Sequence, residues 1–564
     1  MHKSWNIIKT NPFEQARLCR ALHVEPIVAQ ILLNRGIVDS KEAQHFFKAD
    51  LKLLHDPFLM KDMDKAVARI DQALDRKERV LIFGDYDADG VTSSALLHNV
   101  LTQKGLTVIN HIPHRMEHGY GLNNEIIDQA VAQGIKLIIT VDCGITAVEE
   151  VRNCHARGID VVIIDHHEPD SDAFPEACAV VDPKRKDCSY PFKLLAAVGL
   201  VAKLTQALLG HVPGEALEMV AIGTITDIVP LIGENRIFVK MGLPLLCKTK
   251  NKGLRALLKV SKIKDKELSP YHIGFILGPR INAAGRMDTA HKSLDLLLCN
   301  DDDQALQLAK DLDKYNVDRQ RLQRNIVQEA VAIVEKEINV KDQKVIVVSK
   351  EGWHKGVLGI VASKITEKYY RPTIVISVED GMGTASARSV EGFHLYEALA
   401  HCSDCLEKFG GHQRAAGLTI KEDNINSFRS LINRLAHEKL TIEKLSPTIY
   451  IDGELTLSII SMDLVSMVET MQPFGEGNPQ PLFCSFGLNL RGEPRVMGRE
   501  TLKFYVTDGR ATLSVIGFGM AKYKDLLVTG KKFDIAYFLT VDDWYKEPTV
   551  QLRLKDIRLS EEVL

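Results

Sequence analysis

An apolar run, Val80-Leu81-Ile82-Phe83, ends in three carboxylates at alternate positions, Asp85, Asp87 and Asp89, before Gly90 releases the chain into a helix-like stretch over 91–101. The run has the character of a buried strand, so this is a strand-loop-helix junction loaded with negative charge. Three ionised carboxylates in a partly dry cleft repel one another unless a cation sits between them. A solvated acidic turn is the plain alternative. Such turns rarely follow a strand this apolar, and the carboxyl ends of strands are where open α/β sheets bind ligands. The junction alone fits a calcium loop or a magnesium loop.

Strand-like runs follow at 107–112, 136–141 and 160–164, with helix-like stretches over 123–133 and 147–157 between the last three. That alternation predicts a parallel sheet with helices on both faces. Two of these strands end in further metal-type residues, Asp142-Cys143-Gly144 and Asp165-His166-His167-Glu168. Parallel strands bring their carboxyl ends to one edge, so Asp87, Asp89, Asp142, His166 and His167 are expected to converge. A later apolar helix-like run, 223–230, carries Asp227, and a buried aspartate is costly unless it faces a cation. Singly, an Asp-Cys-Gly is usually a turn and a His-His pair a strand end; their shared register is what carries weight. Oxygen ligands with one or two imidazoles and no thiolate suit manganese or magnesium better than zinc. Two such ions about 3.5–4 Å apart can hold both the attacking water and the leaving oxygen of a phosphoryl transfer.

Length and charge bound the remainder. A chain of 564 residues suggests three or four domains at roughly 150 residues each. The formal net charge of −3 gives no global attraction for a polyanion, so any nucleic acid must bind in a local groove. Ten cysteines are scattered singly apart from Cys402-Ser403-Asp404-Cys405; a zinc site would need a second pair or histidines at ligand spacing, and the pair is taken as structural. No apolar run is long enough to span a membrane. The amino terminus lacks the basic-then-apolar order of a secretory signal, so a cytoplasmic location is expected.

Residues 1–58 look helical and carry no evident chemistry, and the first α/β unit is expected over 59–235. A bridging region, 236–340, holds Arg280, Asn282 and Arg286, and within it 301–338 has neither Pro nor Gly and keeps helical spacing, predicting one long connecting helix. A second α/β unit is expected over 341–440 and short alternating strands over 441–564, the pattern of a small β-barrel. Trp544 and Tyr545, near Lys503, Lys522, Lys524, Lys531 and Lys532, are candidates for stacking bases and tracking phosphates. In the second unit Gly410-Gly411 has a plain alternative as a helix stop. There is no internal repeat.

At these residues the chain resembles the DHH phosphoesterase superfamily, and within it the bacterial single-strand-specific exonucleases. The resemblance runs over essentially the whole length. It is carried by Gly84-Asp85-Tyr86-Asp87-Ala88-Asp89-Gly90, Arg115 with Gly119-Tyr120-Gly121-Leu122, Val141-Asp142-Cys143-Gly144, Asp165-His166-His167-Glu168-Pro169 and Gly278-Pro279-Arg280-Ile281-Asn282-Ala283-Ala284-Gly285-Arg286. Gly352-Trp353-His354, Ser386-Ala387-Arg388-Ser389, Gly410-Gly411-His412 and Pro473-Phe474-Gly475-Glu476-Gly477-Asn478-Pro479 extend it. The resemblance implies an α/β DHH domain joined by a long helix to a DHH-associated domain, followed by an OB-fold barrel. It implies that Asp87, Asp89, Asp142, His166 and Asp227 ligate one or two Mn2+ or Mg2+ ions, with His167 a ligand or phosphate contact, Asp85 serving a second ion or the loop, and Asp165 orienting an imidazole. It further implies a single-stranded DNA substrate cut 5′ to 3′ into 5′-mononucleotides by metal-activated water. Contacts to that strand are expected from Arg115, Tyr120, Arg280, Asn282, Arg286, Ser386, Arg388, Gly410, Gly411 and His412. A single-stranded DNA-binding protein and a helicase are the implied companions in recombination and mismatch repair, and the enzyme is expected to be a monomer. Alanine stands at 197 and 385, where the family usually has glycine. The rivals are a DHH phosphoesterase acting on oligoribonucleotides, cyclic dinucleotides or pyrophosphate, and a non-catalytic single-strand binder.

Overall fold

The structure, a computed structural model, describes the whole chain except residues 1–2, 115–120, 170–173, 264–267, 341, 442, 529, 544–546 and 561–564. Its first sheet has five parallel strands, β1 (Arg79–Gly84), β2 (Thr107–His111), β3 (Ile135–Val141), β4 (Asp160–Ile164) and β5 (Ala179–Val181), in the order β2-β1-β3-β4-β5. Along β1, Val80 and Ile82 enter one buried cluster while Leu81 and Phe83 enter another on the opposite face. A strand covered on both sides needs no polar alternation, which is why the run is continuously apolar. Strand order reverses between β1 and β3, and that switch point opens the crevice in which such sheets take ligands.

Helix α1 (Ala88–Gln103) begins earlier than the apolar periodicity suggests, because Asp87 caps it. The Asp87 carboxylate accepts the N–H groups of Asp89 and Gly90 at 2.8 and 3.1 Å, the usual work of an aspartate N-cap. Asp89 therefore sits in the first helical turn rather than on the loop. Three further helices, α2 (Ala197–Leu209), α3 (Gly214–Thr226) and α4 (Gly278–Met287), pack beside it.

The connecting helix is unbroken: α5 (Asp302–Glu337) has 36 residues, a span of about 54 Å. Ala305, Ala309 and Leu312 belong to the first domain's core, whereas Ile326, Ala330 and Val334 belong to a cluster under the second sheet. The one helix is thus anchored at both ends. The second sheet contains β6 (Ile346–Glu351), β7 (Thr373–Glu379), β8 (Met382–Arg388), β9 (Lys408–Gly411) and β10 (Ala415–Lys421), ordered β9-β10-β8-β7-β6 and parallel only between β6 and β7. Gly410 and Gly411 lie on β9, so the helix-stop alternative is wrong.

The carboxyl-terminal strands β11 (Phe483–Met497), β12 (Thr501–Thr507), β13 (Thr512–Gly517), β14 (Phe533–Asp542) and β15 (Thr549–Leu559) run β11-β12-β13-β15-β14, and β14 returns to pair with β11. The result is a closed five-stranded barrel, as expected of the OB type.

The amino-terminal segment departs from the sequence expectation. It begins with a strand, Ser4–Ile7, paired in parallel with Thr448–Ile451, and its helices send Leu18, Val28, Leu32 and Phe46 into the barrel core beside Phe483 and Phe504. A four-residue strand with one partner hundreds of positions away leaves little local signal. Arg35 and Asp452 form a buried pair at 2.5 Å across this joint. Among the described residues no helix is long and apolar enough to cross a membrane.

Candidate metal centre

The rim at the β1/β3 switch point gathers the seven residues singled out from the sequence as metal-ligand candidates. Asp85, Asp87 and Asp89 follow β1, Asp142 follows β3, His166 and His167 follow β4, and Asp227 caps the carboxyl end of α3. Donor atoms lie within 4.8 Å of one another in three overlapping groups: Asp85, Asp87 and Asp142; Asp89, His166 and Asp227; Asp142, His166 and His167. His166 Nε2 stands 3.2 Å from Asp142 Oδ1 and 3.6 Å from Asp227 Oδ2.

Each group is fixed by backbone. Asp89 accepts the N–H groups of Ala197 and Val198 at 2.8 and 2.9 Å, at the start of α2. Asp165 is fully buried and accepts the N–H groups of Ile145, His166 and His167 at 2.9, 2.7 and 3.2 Å, while its Oδ1 lies 2.7 Å from His167 Nδ1. That contact holds the His167 ring from behind. Gly223 approaches Asp89 so closely that a Cβ there would stand 2.7 Å from Oδ1.

The electrostatics are those of a crowded acid cluster. Burial, then the neighbouring Asp87, pushes Asp89 up to about 7. Burial and the charges of Asp89 and Asp87 hold Asp142 and Asp227 well above the ordinary carboxylate range. Asp227 also sits at the negative end of α3, where a carboxylate is unfavourable. Burial, then His167, pulls His166 down to about 3, so its ring is neutral and offers a lone pair. Burial opposes charge on His167 as well, but the Asp165 carboxylate outweighs it and raises that ring to about 9.

A divalent cation fits this set. His166 Nε2 is buried and makes no hydrogen bond among the described residues, although it faces two carboxylates. Bound to a cation, the same atoms attract rather than repel. The nearby thiol is not a ligand candidate: Cys143 Sγ turns to the carbonyls of Phe83 and Val141, and burial holds it protonated. Carboxylates with imidazole and no thiolate match Mn2+ or Mg2+.

The remaining expected residues divide. Asn282 reaches the loop itself: its Oδ1 accepts the Ala88 N–H at 2.7 Å, so it braces the acidic junction. Arg280 is held by Asp313 at 2.9 Å and by the Ile276 carbonyl. Arg286 donates to the Gly356 carbonyl at 3.2 Å, where α4 meets the second domain. Ser386 and Arg388 share the outer face of β8 and lie over Gly359, at the start of the helix Leu358–Tyr369. His412 is exposed beyond β9. Arg115, Tyr120, Trp544 and Tyr545 fall outside the described residues. Ala385 points its methyl group into the core, away from Ser386, and Ala197 serves Asp89 through its backbone. Sequence reasoning missed Asp182, a fully buried carboxylate that follows β5 and is raised to about 7 by burial. Its signal was present, since Val180-Val181-Asp182 repeats the pattern of an apolar strand ending in aspartate.

Comparison with known proteins agrees with this geometry. The family models for the DHH family N-terminal domain, the DHHA1 domain and the RecJ OB domain match residues 79–224, 342–438 and 451–556. The single-stranded-DNA-specific exonuclease RecJ of Bacillus subtilis is 38% identical over 560 residues, covering 99% of this chain and 71% of the relative. The chain belongs to the RecJ family. The Escherichia coli RecJ is 33% identical, with 94% of this chain and 96% of the relative covered. The crystal structure of RecJ from Thermus thermophilus in complex with Mn2+ superposes with a TM-score of 0.85 at 29% identity, over 99% of this chain and 80% of that one.

Proposed function

We propose that this RecJ-family chain is a metal-dependent exonuclease that degrades single-stranded DNA 5′ to 3′ to 5′-mononucleotides. The observation that carries the reading is the convergence of Asp85, Asp87, Asp89, Asp142, His166, His167 and Asp227 on one rim. A divalent ion held there, Mn2+ or Mg2+, supplies a water nucleophile at neutral pH and offsets charge on the leaving oxygen. Asp87, Asp89, Asp142, His166 and Asp227 hold the ion, Asp85 completes the acidic side, and His167 is a ligand or steadies a phosphate oxygen. Asp165 keeps the His167 ring turned toward that task.

The rest of the chain feeds the strand to this rim. Arg286, Ser386, Arg388 and the Gly410-Gly411-His412 end of β9 offer guanidinium, hydroxyl and close backbone approach to a sugar-phosphate chain. Arg280 and Asn282 act by bracing α4 and the acidic loop, and Arg115 and Tyr120 meet the terminal nucleotide. The barrel tracks the strand downstream. The enzyme works as a cytoplasmic monomer in recombination and repair, beside a single-stranded DNA-binding protein and a helicase.

A phosphoesterase for dinucleotides or pyrophosphate would need neither the 36-residue strut nor the barrel. The test is to digest a long single strand, labelled at one end or the other, in parallel with a dinucleotide. Release of labelled mononucleotide from the 5′ end at early times supports the reading. Preference for the dinucleotide, or early release only from the 3′ end, refutes it.

A further inference from the structure

We propose that Tyr271 and Phe275 form a base-stacking platform that seats nucleobases of the strand between the metal centre and the barrel; this rests on the nuclease reading above. The two rings are 61% and 72% exposed and lie side by side, so they form a contiguous apolar patch rather than a single scattered side chain, and contiguous patches are what mark binding surfaces. They stack on each other with centroids 5.1 Å apart and planes 28° from parallel, one turn apart on the helical segment that runs into α4. Phe275 lies within a π-helical turn, Ile273–Leu277, that starts two residues after Tyr271. Such turns disturb regular hydrogen bonding and occur disproportionately at functional sites.

The platform is continuous with the metal centre. It borders a cavity of about 570 Å³ whose wall includes Ile228, Asn282, Phe474 and, from the barrel, Arg553. Ile228 directly follows Asp227, is 70% exposed and has a φ of 62°. A β-branched residue in that region is strained, and strain of this kind persists where the surroundings impose it. Asn282 touches the acidic loop through Ala88. A strand leaving the acid cluster toward the barrel therefore meets two exposed ring faces first and a guanidinium on the far wall. Ring faces accept any base, whereas Arg553 answers a phosphate, so the occupant that matches both is single-stranded nucleic acid.

Binding of a fluorescein-labelled oligothymidylate, measured by anisotropy in chelator, tests the platform in Tyr271→Ala, Phe275→Ala and the double variant, with Tyr271→Phe and Phe275→Tyr as conservative controls. Each alanine is expected to weaken binding roughly 10-fold, the aromatic replacements to restore it, and KM for the strand to rise with kcat unchanged. A strand of the same length made of abasic residues should bind wild type and double variant alike. Alanine variants within twofold of wild type, or an equal loss on the abasic strand, overturn the platform. Wild-type protein that cuts no single strand overturns the nuclease reading instead, and the two failures are told apart by that one control.

Discussion

Asp165 Oδ1 lies 2.7 Å from His167 Nδ1, and this contact sets both the charge and the heading of that imidazole. Replacing Asp165 with Asn removes the charge and leaves one acceptor oxygen, which can still serve the His166 and His167 N–H groups at the Oδ1 position while the amide NH2 faces the Ile145 N–H. Mn2+ affinity is expected to fall roughly 10- to 100-fold with the fold retained, as a titration paired with a thermal melt will report.

Close packing beneath Asp89 leads to a second expectation. A Cβ on Gly223 would stand 2.5 Å from Thr92 Oγ1 and 2.7 Å from both Asp89 Oδ1 and Val198 Cγ1. Gly223→Ala should destabilise the protein by about 1–3 kcal/mol and, by displacing Asp89, lower turnover by roughly 100-fold. Urea unfolding and single-strand digestion measure the two effects separately.

Much of this site was open to sequence reading because its chemistry is local. An apolar strand followed at once by Asp or His is recognisable wherever it occurs, and a parallel sheet does the gathering, so Asp89 and Asp142 could be placed on one rim before any coordinates. What stayed hidden depends on partners far along the chain. Nothing near Asn282 announces that it will cap Ala88, and nothing in Ser4–Ile7 announces Thr448–Ile451 as its neighbour. The three-residue strand β5 carries only a short version of the strand-then-aspartate pattern, and Asp182 was lost with it.

The joint between amino terminus, metal domain and barrel centres on Arg236. Its guanidinium lies 3.8 Å from the centroid of the Phe46 ring and donates to the carbonyls of Phe46 and Gln472, both at 2.9 Å. Burial lowers its pKa to about 9. Arg236→Met fills much of the volume but leaves the buried Phe46 carbonyl and the part-buried Gln472 carbonyl without this donor, an expected loss of about 1–3 kcal/mol. Urea unfolding, with proteolytic release of the amino-terminal segment as a second readout, checks it.

Asp62 provides a pH-dependent case away from the metal. Burial would raise its pKa, yet Lys65 and Arg185 outweigh burial and hold it below the ordinary carboxylate value. A lowered folded-state pKa contributes stability that is present above the unfolded value and disappears as pH falls through the folded one. Asp62→Asn should therefore cost roughly 3 kcal/mol at neutral pH, with the gap to wild type closing below about pH 4. Thermal melts of both proteins across that range decide it.

The central claim is that remote acids and imidazoles share a divalent ion at the β1/β3 rim. Equilibrium titration with Mn2+, reading free ion by electron paramagnetic resonance and cleavage of a 5′-labelled single strand in the same samples, tests it with wild type, Asp142→Ala and His166→Ala. Wild type should take up the ion and cut, chelator should stop it, and both variants should lose uptake and cleavage together while melting no lower than wild type in chelator. Variants that keep near-normal Mn2+ uptake and near-normal cleavage would contradict the account.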